Sequence, residues 1–254
     1  MTILEMAAIL LAGVAAGTIN TVVGSGTLIT FPTLLAVGVP PVTANVSNTV
    51  GLVPGSLSGA IGYRRELSGQ RGRLLRLGSA SLLGGITGAV LLLYLPAEAF
   101  NAIVPVLIAV GCLLVLFQPA IGKRVAARAE ARGRVPEHGA AWVWVLVYVT
   151  GIYGGYFGAA QGVLLMAVMG IGIQETLQRL NGVKNVLALL VNAVAAVIFV
   201  FVADVDWPVA GLIAVGAVVG GQLGATVGRR LPPLALRIFI VMVGVAALVS
   251  FLLG

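Results

Sequence analysis

Apolar residues run in long stretches separated by short polar turns. They fall at about 3–19, 27–38, 41–62, 74–95, 98–118, 140–158, 162–173, 183–203, 207–228 and 233–253. Eight have the length of a spanning helix, which takes about 20 residues. The stretches at 27–38 and 162–173 hold only about 12, or about 18 Å of helix at 1.5 Å per residue. The ten-residue alternation of a membrane β-barrel is missing. The pattern predicts an all-α polytopic membrane protein.

Composition removes the other classes. Of 254 residues, 59% are hydrophobic and 9% charged, against roughly a quarter charged in soluble domains. Mean hydropathy is +1.11. A soluble enzyme, a secreted disulfide scaffold and a disordered chain are excluded. The one cysteine, Cys112, sits inside an apolar stretch. The N-terminus has no basic run and carries Glu5, so its first stretch is expected to be a retained helix, not a cleaved signal. The net charge of +7 does not point to nucleic acid. The basic residues sit in short loops between apolar stretches, where they set topology and meet anionic lipid headgroups.

Sliding the sequence by 136 positions exposes a repeat. Gly26 falls on Gly162, Leu28 on Leu164 and Asn45 on Asn181, and Gly84–Ala89 falls on Gly220–Ala225. Leu95 and Pro96 fall on Leu231 and Pro232. Two transmembrane halves are expected, 1–118 and 140–254, joined by a basic cytoplasmic loop at 119–139.

Charge orients them. The 15 basic residues form four clusters: Arg64, Arg65, Arg71, Arg73 and Arg76; Lys123, Arg124, Arg128, Arg132 and Arg134; Arg179 with Lys184; and Arg229, Arg230 and Arg237. Each is expected on the cytoplasmic side. The links near Glu98 and around Asp204 and Asp206 lack Lys and Arg and are expected outside. If the short segments carry the chain across there are ten crossings with both termini outside; if they re-enter, there are eight. Ten keeps every basic cluster inside. Trp142, Trp144 and Trp207 stand at span ends, as interfacial aromatics do. The predicted fold is thus two inverted-topology repeats of about five helical segments, each with a short broken helix.

The chemistry is expected at the breaks. Each half has a Gly-rich interruption, Thr18–Thr27 and Gly151–Gly162, then a short helix, then a helix with a polar start, Thr43–Thr49 and Arg179–Asn185. Short interrupted spans at matching places point to a transport site. Broken backbone at membrane depth survives where it is buried in protein or lines a wet cavity. The following helix begins with its positive dipole end, which favours an anion. The candidate substrate-binding residues are Asn20, Gly24, Ser25, Gly26, Thr27, Asn45, Asn48, Thr49, Tyr156, Gly158, Gln161, Gly162, Asn181, Lys184 and Asn185.

Plainer readings stand beside these. Gly-rich stretches also serve close helix packing, and that is the preferred reading of GG-x-x-GA at Gly84 and Gly220, and of Gly55, Ser56 and Ser58. Lys184 is either a substrate contact or a side chain snorkelling to the inner interface. Arg179 reads as a topology charge or lipid contact. Tyr153 and Tyr156 face either substrate or a neighbouring helix. His138 falls in the polar loop. HExxH, CxxC and Walker-type motifs are absent. All eight carboxylates lie at span ends or in loops, which leaves no acidic pair in the membrane for acid–base catalysis or a proton relay. Neither an enzyme nor a cofactor is expected.

The stretch GSGTLITFPTLLAVGVPPVTANVSNTVG at Gly24–Gly51, continuing to GYRREL at Gly62–Leu67, resembles the first signature of the sulfite exporter TauE/SafE family. GIYGGYFGAAQG at Gly151–Gly162 and LNGVKN at Leu180–Asn185 resemble its partner signature. The likeness covers nearly the whole chain. Where members often carry GGG, this chain has GSG at Gly24–Gly26 and AQG at Ala160–Gly162. The resemblance implies a bacterial inner-membrane permease that moves sulfur-containing anions such as sulfite and organosulfonates, often outward. The expected partners are a small anion and membrane lipids. An anion-selective channel along the same path, or a scaffold subunit without transport, are the alternatives.

Overall fold

The computed structural model describes residues 1–131, 139–228 and 233–253, and in these ranges the chain forms ten α-helices. They are α1 Ile3–Val22, α2 Thr27–Ala36, α3 Pro41–Gly62, α4 Arg71–Tyr94, α5 Ala97–Ala131, α6 Ala141–Tyr156, α7 Gln161–Gly172, α8 Leu177–Val202, α9 Trp207–Thr226 and α10 Pro233–Leu253. By length and composition, α1, α4, α8, α9 and Glu98–Arg124 of α5 can each cross a membrane. Arg132, Arg134, His138, Arg229, Arg230, Leu231 and Pro232 lie outside the described residues, as does the side chain of Arg128. Helix α5 continues past 118 into the expected basic loop as far as Ala131.

Local chemistry sets several helix ends. Thr2 and Glu5 form a capping box on α1: Glu5 N–H donates to Thr2 Oγ1 at 3.3 Å and Thr2 N–H to Glu5 Oε2 at 2.8 Å. Asp206 caps α9 by accepting from Val209 N–H at 3.1 Å, and Thr176 caps α8 by accepting from Arg179 N–H.

Lipid offers no hydrophobic drive between helices, so close backbone approach through small residues does the packing. On α9, Gly216, Gly220 and Gly224 lie on the backbone of α1; a Cβ on Gly224 would stand 2.6 Å from Thr18 O. On α4, Gly84 and Gly88 meet the carbonyls of Tyr148 and Ile152 on α6. Packing is the role expected of the GG-x-x-GA pair, and it is the role found. Helices α1 and α9 run parallel, as do α4 and α6. Helices α3 and α8 run antiparallel, with Tyr63 near Gly182 and Ser56 bonded to Asn192. Exchanging α1 with α6 and α4 with α9 maps these contacts onto one another, while the pairs α3–α8 and α5–α10 map onto themselves.

The register differs from the gapless alignment. Before the short helices the matching offset is 134, not 136. Val23 N–H and Gly24 N–H share Ile19 O, and Phe157 N–H and Gly158 N–H share Tyr153 O. Gly24 and Gly158 both take left-handed φ, at 91° and 73°. From α3 and α8 onward the offset is 136, as in the Ser56–Asn192 pair. The two extra residues are in α7, which has 12 against 10 in α2. The coincidences of Gly26 with Gly162 and Leu28 with Leu164 are therefore not structural equivalences.

The α3–α4 and α7–α8 connections, both carrying arginines, meet at one end of the bundle, the basic end. Glu175, between α7 and α8, pairs with Arg73 at 3.2 Å and Arg179 at 3.1 Å, and accepts from Gln70 at 2.9 Å. Arg179 also donates to Ser68 O at 2.9 Å and so ties the two loops together. Burial pushes the Glu175 carboxyl up, but the Thr176 N–H and the Gln70, Arg73 and Arg179 side chains outweigh it and hold it at about 2. The start of α6 and the end of α7 meet at this end, Trp142 and Val143 covering Gly172. At the other end Asp206 N–H donates to Ser47 Oγ at 2.9 Å.

Candidate functional site

Helix α1 stops at Val22, and residues 23–26 turn the chain so that Gly26 lies back against Ala16 and Asn20. Helix α6 stops at Tyr156, and residues 157–160 make the matching turn. Two hairpins result. The α1–α2 hairpin opens from the end opposite the basic loops, and α6–α7 opens from the basic end. Their turns touch: Gly162 N–H donates to Gly24 O at 3.0 Å, and a Cβ on either glycine would strike the other's backbone. Glycine is required at Gly24 for this approach and for its positive φ.

A stopped helix leaves carbonyls without partners. On α8, Asn181, Lys184 and Asn185 have i, i+3, i+4 spacing and share one face. Lys184 Nζ donates to Asn20 O at 3.1 Å and Thr21 O at 3.0 Å. The amides of Asn181 and Asn185 also donate to Thr21 O, at 3.4 and 3.3 Å. A cation at a helix C-terminus is favoured by the helix dipole. Lys184 is 0% exposed, so the snorkelling reading is set aside. Its hydrogen-bond partners are neutral.

The other half uses the same spacing differently. Asn45 Nδ2 donates to Tyr156 O at 2.9 Å, the last turn of α6. Asn48, which stands where Lys184 stands in the second half, turns to α2: its amide donates to Thr27 Oγ1 at 3.3 Å and its oxygen accepts from Thr30 Oγ1. Thr49 bonds back to Asn45 O at 2.9 Å, away from the break.

Three polar residues escaped sequence reading. Asn20 Nδ2 and Asn192 Nδ2 both donate to Ser56 Oγ, at 3.4 and 3.3 Å. The sequence pattern assigns Ser56 to packing and marks neither Asn192 nor Thr30. The available signal was Ser56 and Asn192 lying 136 residues apart, a polar pair at equivalent places in apolar spans.

Several buried polar atoms at the breaks lack partners: the hydroxyls of Ser25 and Tyr156, the amide nitrogen of Gln161, and the side-chain oxygens of Asn45 and Asn181. Ser25 is 0% and Gln161 3% exposed. Buried donors without partners call for an explanation, and a ligand with several acceptor oxygens supplies one. Among the described residues no group of His, Cys, Asp and Glu is set to hold a metal.

Access differs at the two ends. A cavity of about 450 Å³ opens at the basic end and reaches Val22 and Val23 of the first break, Val163 of α7 and Asn181. A cavity of about 890 Å³ at the other end is lined by the end of α2, Asn101 and α10, without residues of either break. Buried aromatics pack together on this side: Phe31 lies edge-on to Phe157 at 5.0 Å and to Phe100 at 6.5 Å, and Phe100 lies 5.9 Å from Tyr156. At the matching positions of the other half stand Leu165, Leu236, Val23 and Val22.

The sequence is similar to those of known membrane proteins. The sequence profile described as "Sulfite exporter TauE/SafE" matches residues 9–251. The chain is 27% identical over 218 residues to a probable membrane transporter protein, YfcA, of Escherichia coli K12, covering 83% of this chain and 76% of that protein. It is 26% identical over 251 residues to the probable membrane transporter protein ORF9 of a Sinorhizobium species, covering 97% and 92%. A probable membrane transporter of Haemophilus influenzae is 25% identical over 213 residues, covering 84% and 81%. The chain belongs to the sulfite exporter TauE/SafE family of membrane transporters.

Proposed function

We propose that the protein exports a small sulfur-containing oxyanion, sulfite or an organosulfonate, across the bacterial inner membrane by alternating access between two inverted repeats. The observation that carries the reading is Lys184, fully buried with only neutral hydrogen-bond partners. An isolated buried charge costs several kcal/mol. The carbonyl end of α1 offsets part of that, and an anion among Ser25, Gln161 and Tyr156 offsets the rest. The glycine turns add the positive ends of α2 and α7.

The α1–α2 and α6–α7 pairs are read as re-entrant hairpins from opposite faces. Tips that enter from opposite faces can touch, as Gly24 and Gly162 do, only inside the layer. Each hairpin takes both of its helices, so α3, α4, α5, α8, α9 and α10 make six crossings, in place of ten or eight. Helix α1 has the length to span; its first turn, with Ile3 87% and Leu4 80% exposed, then projects into the far surface layer. With the basic loops cytoplasmic, both termini are outside.

In this reading the chain is open inward. The basic-end cavity reaches the break, and the aromatic group seals the other side. One end sealed and one open favours a carrier over a channel. Export of a monovalent anion runs downhill in an inside-negative potential, worth about 2.3 kcal/mol per charge per 100 mV. The test is efflux from proteoliposomes loaded with labelled sulfite or ethanesulfonate under an imposed potential. Inside-negative potential is expected to accelerate efflux. Flux blind to the sign of the potential would mean electroneutral exchange or symport, and no flux of either anion would overturn the reading.

A further inference from the structure

We propose that the cavity at the basic end is an access site for the transported oxyanion, and that Arg237 gathers anions into it. This rests on reading the chain as an anion carrier. Arg237, the fifth residue of α10, lines the cavity with the neutral side chains of Gln118 and Gln178. It is half-buried, and no carboxylate pairs with it among the described residues. Arg179 at the same end is already held by Glu175. Val23 and Asn181 belong to the same cavity wall, so an anion drawn in by Arg237 lies next to the break.

The opposite end supplies an internal control. Asn101 lies 136 residues before Arg237 and lines the other cavity. Pro41 there matches Leu177 here at the same offset, and Pro32 and Thr33 match Met166 and Ala167 at the 134 offset. The two cavities thus share four equivalent positions, and at one of them they differ by a full charge. A cleft with low-dielectric walls and one sign of charge raises the local concentration of counter-ions. The anion should therefore load more readily from the basic face. This sets the rate of loading and leaves the equilibrium distribution untouched.

Transport of labelled sulfite is measured in vesicles of both orientations, giving KM from each face. Arg237→Gln should raise KM from the basic face by roughly tenfold, the lower end of what charged clefts give. KM from the opposite face should stay where it was. Asn101→Arg should lower KM from that opposite face. An unaltered basic-face KM in Arg237→Gln overturns the proposal. A second measurement needs no transport. Gln178→Cys is introduced with Cys112→Ala, and the new thiol is reacted with a sulfonate-bearing and a trimethylammonium-bearing methanethiosulfonate. Arg237→Gln should lower the ratio of anionic to cationic rate, and an unaltered ratio overturns the proposal. If the wild-type protein moves neither sulfite nor ethanesulfonate, the carrier reading fails on its own, and the thiol ratio still decides whether the cavity collects anions.

Discussion

Lys184 illustrates how one side chain joins two halves of the chain. Its ammonium closes the end of α1 from across the bundle, and three side chains of α8 converge on Thr21 O. Lys184→Met keeps the stem and removes the donors. It should abolish sulfite efflux and lower stability by about 1–3 kcal/mol, the cost of leaving buried acceptors unpaired; flux and thermal unfolding check both. Lys184→Ala retaining full anion binding would show that the charge serves only the helix end. Gly24→Ala meets both a left-handed φ and the backbone of Gly162. The φ penalty alone is about 1–2 kcal/mol, and the contact adds to it. The variant should lose transport and melt earlier, whereas Gly38→Ala, whose added Cβ meets nothing within 4 Å, should melt earlier by the φ penalty alone and retain transport.

At the scale of elements, two devices position the breaks. One is the glycine seam of α1 with α9 and of α4 with α6. Gly224→Leu puts a branched side chain where even a lone Cβ would stand 2.6 Å from Thr18 O. It should push α9 off α1 and reduce the yield of folded protein in detergent, read by size-exclusion profile. The other is the Glu175 tie between the α3–α4 and α7–α8 connections. The folded carboxyl titrates at about 2, below its ordinary 4.5. A depressed carboxyl stabilises fully above its unfolded value, and that stabilisation is lost as pH falls through the folded one. The melting temperature should therefore drop between about pH 4.5 and 2 in the wild type and less steeply in Glu175→Gln. Equal slopes would mean that the tie does not hold the loops.

For the whole molecule, the proposed inward-open state rests on an asymmetry between matching positions. Phe31, Phe100, Tyr156 and Phe157 form a packed group, while their counterparts Leu165, Leu236, Val22 and Val23 are aliphatic, and all of these but Leu165 line the open cavity. Phe100→Ala should loosen the seal. A cysteine placed at Ser25 in a Cys112→Ala background should then react with a membrane-impermeant thiol reagent from the face opposite the basic loops. Continued protection from that side would remove the aromatic group from the gate.

The sequence by itself determined the class and the places of interest. Uninterrupted apolar stretches with so few charges dictate membrane helices, because hydrocarbon cannot solvate a free backbone. Glycines at Gly24 and Gly158 mark where that backbone breaks, and the i, i+3, i+4 polar faces at Asn45 and Asn181 mark what serves it. The tertiary structure decided the rest. A linear alignment has no term for two residues added inside α7, so it mispaired Gly26 with Gly162. Short apolar length does not say that the turns at Gly24 and Gly162 meet; the fold brings them together. Residue type likewise could not assign Lys184 to the surface or the interior, because a long amphipathic side chain fits either place. Only the end of α1, brought there by packing from 163 residues away, gives its ammonium carbonyl acceptors.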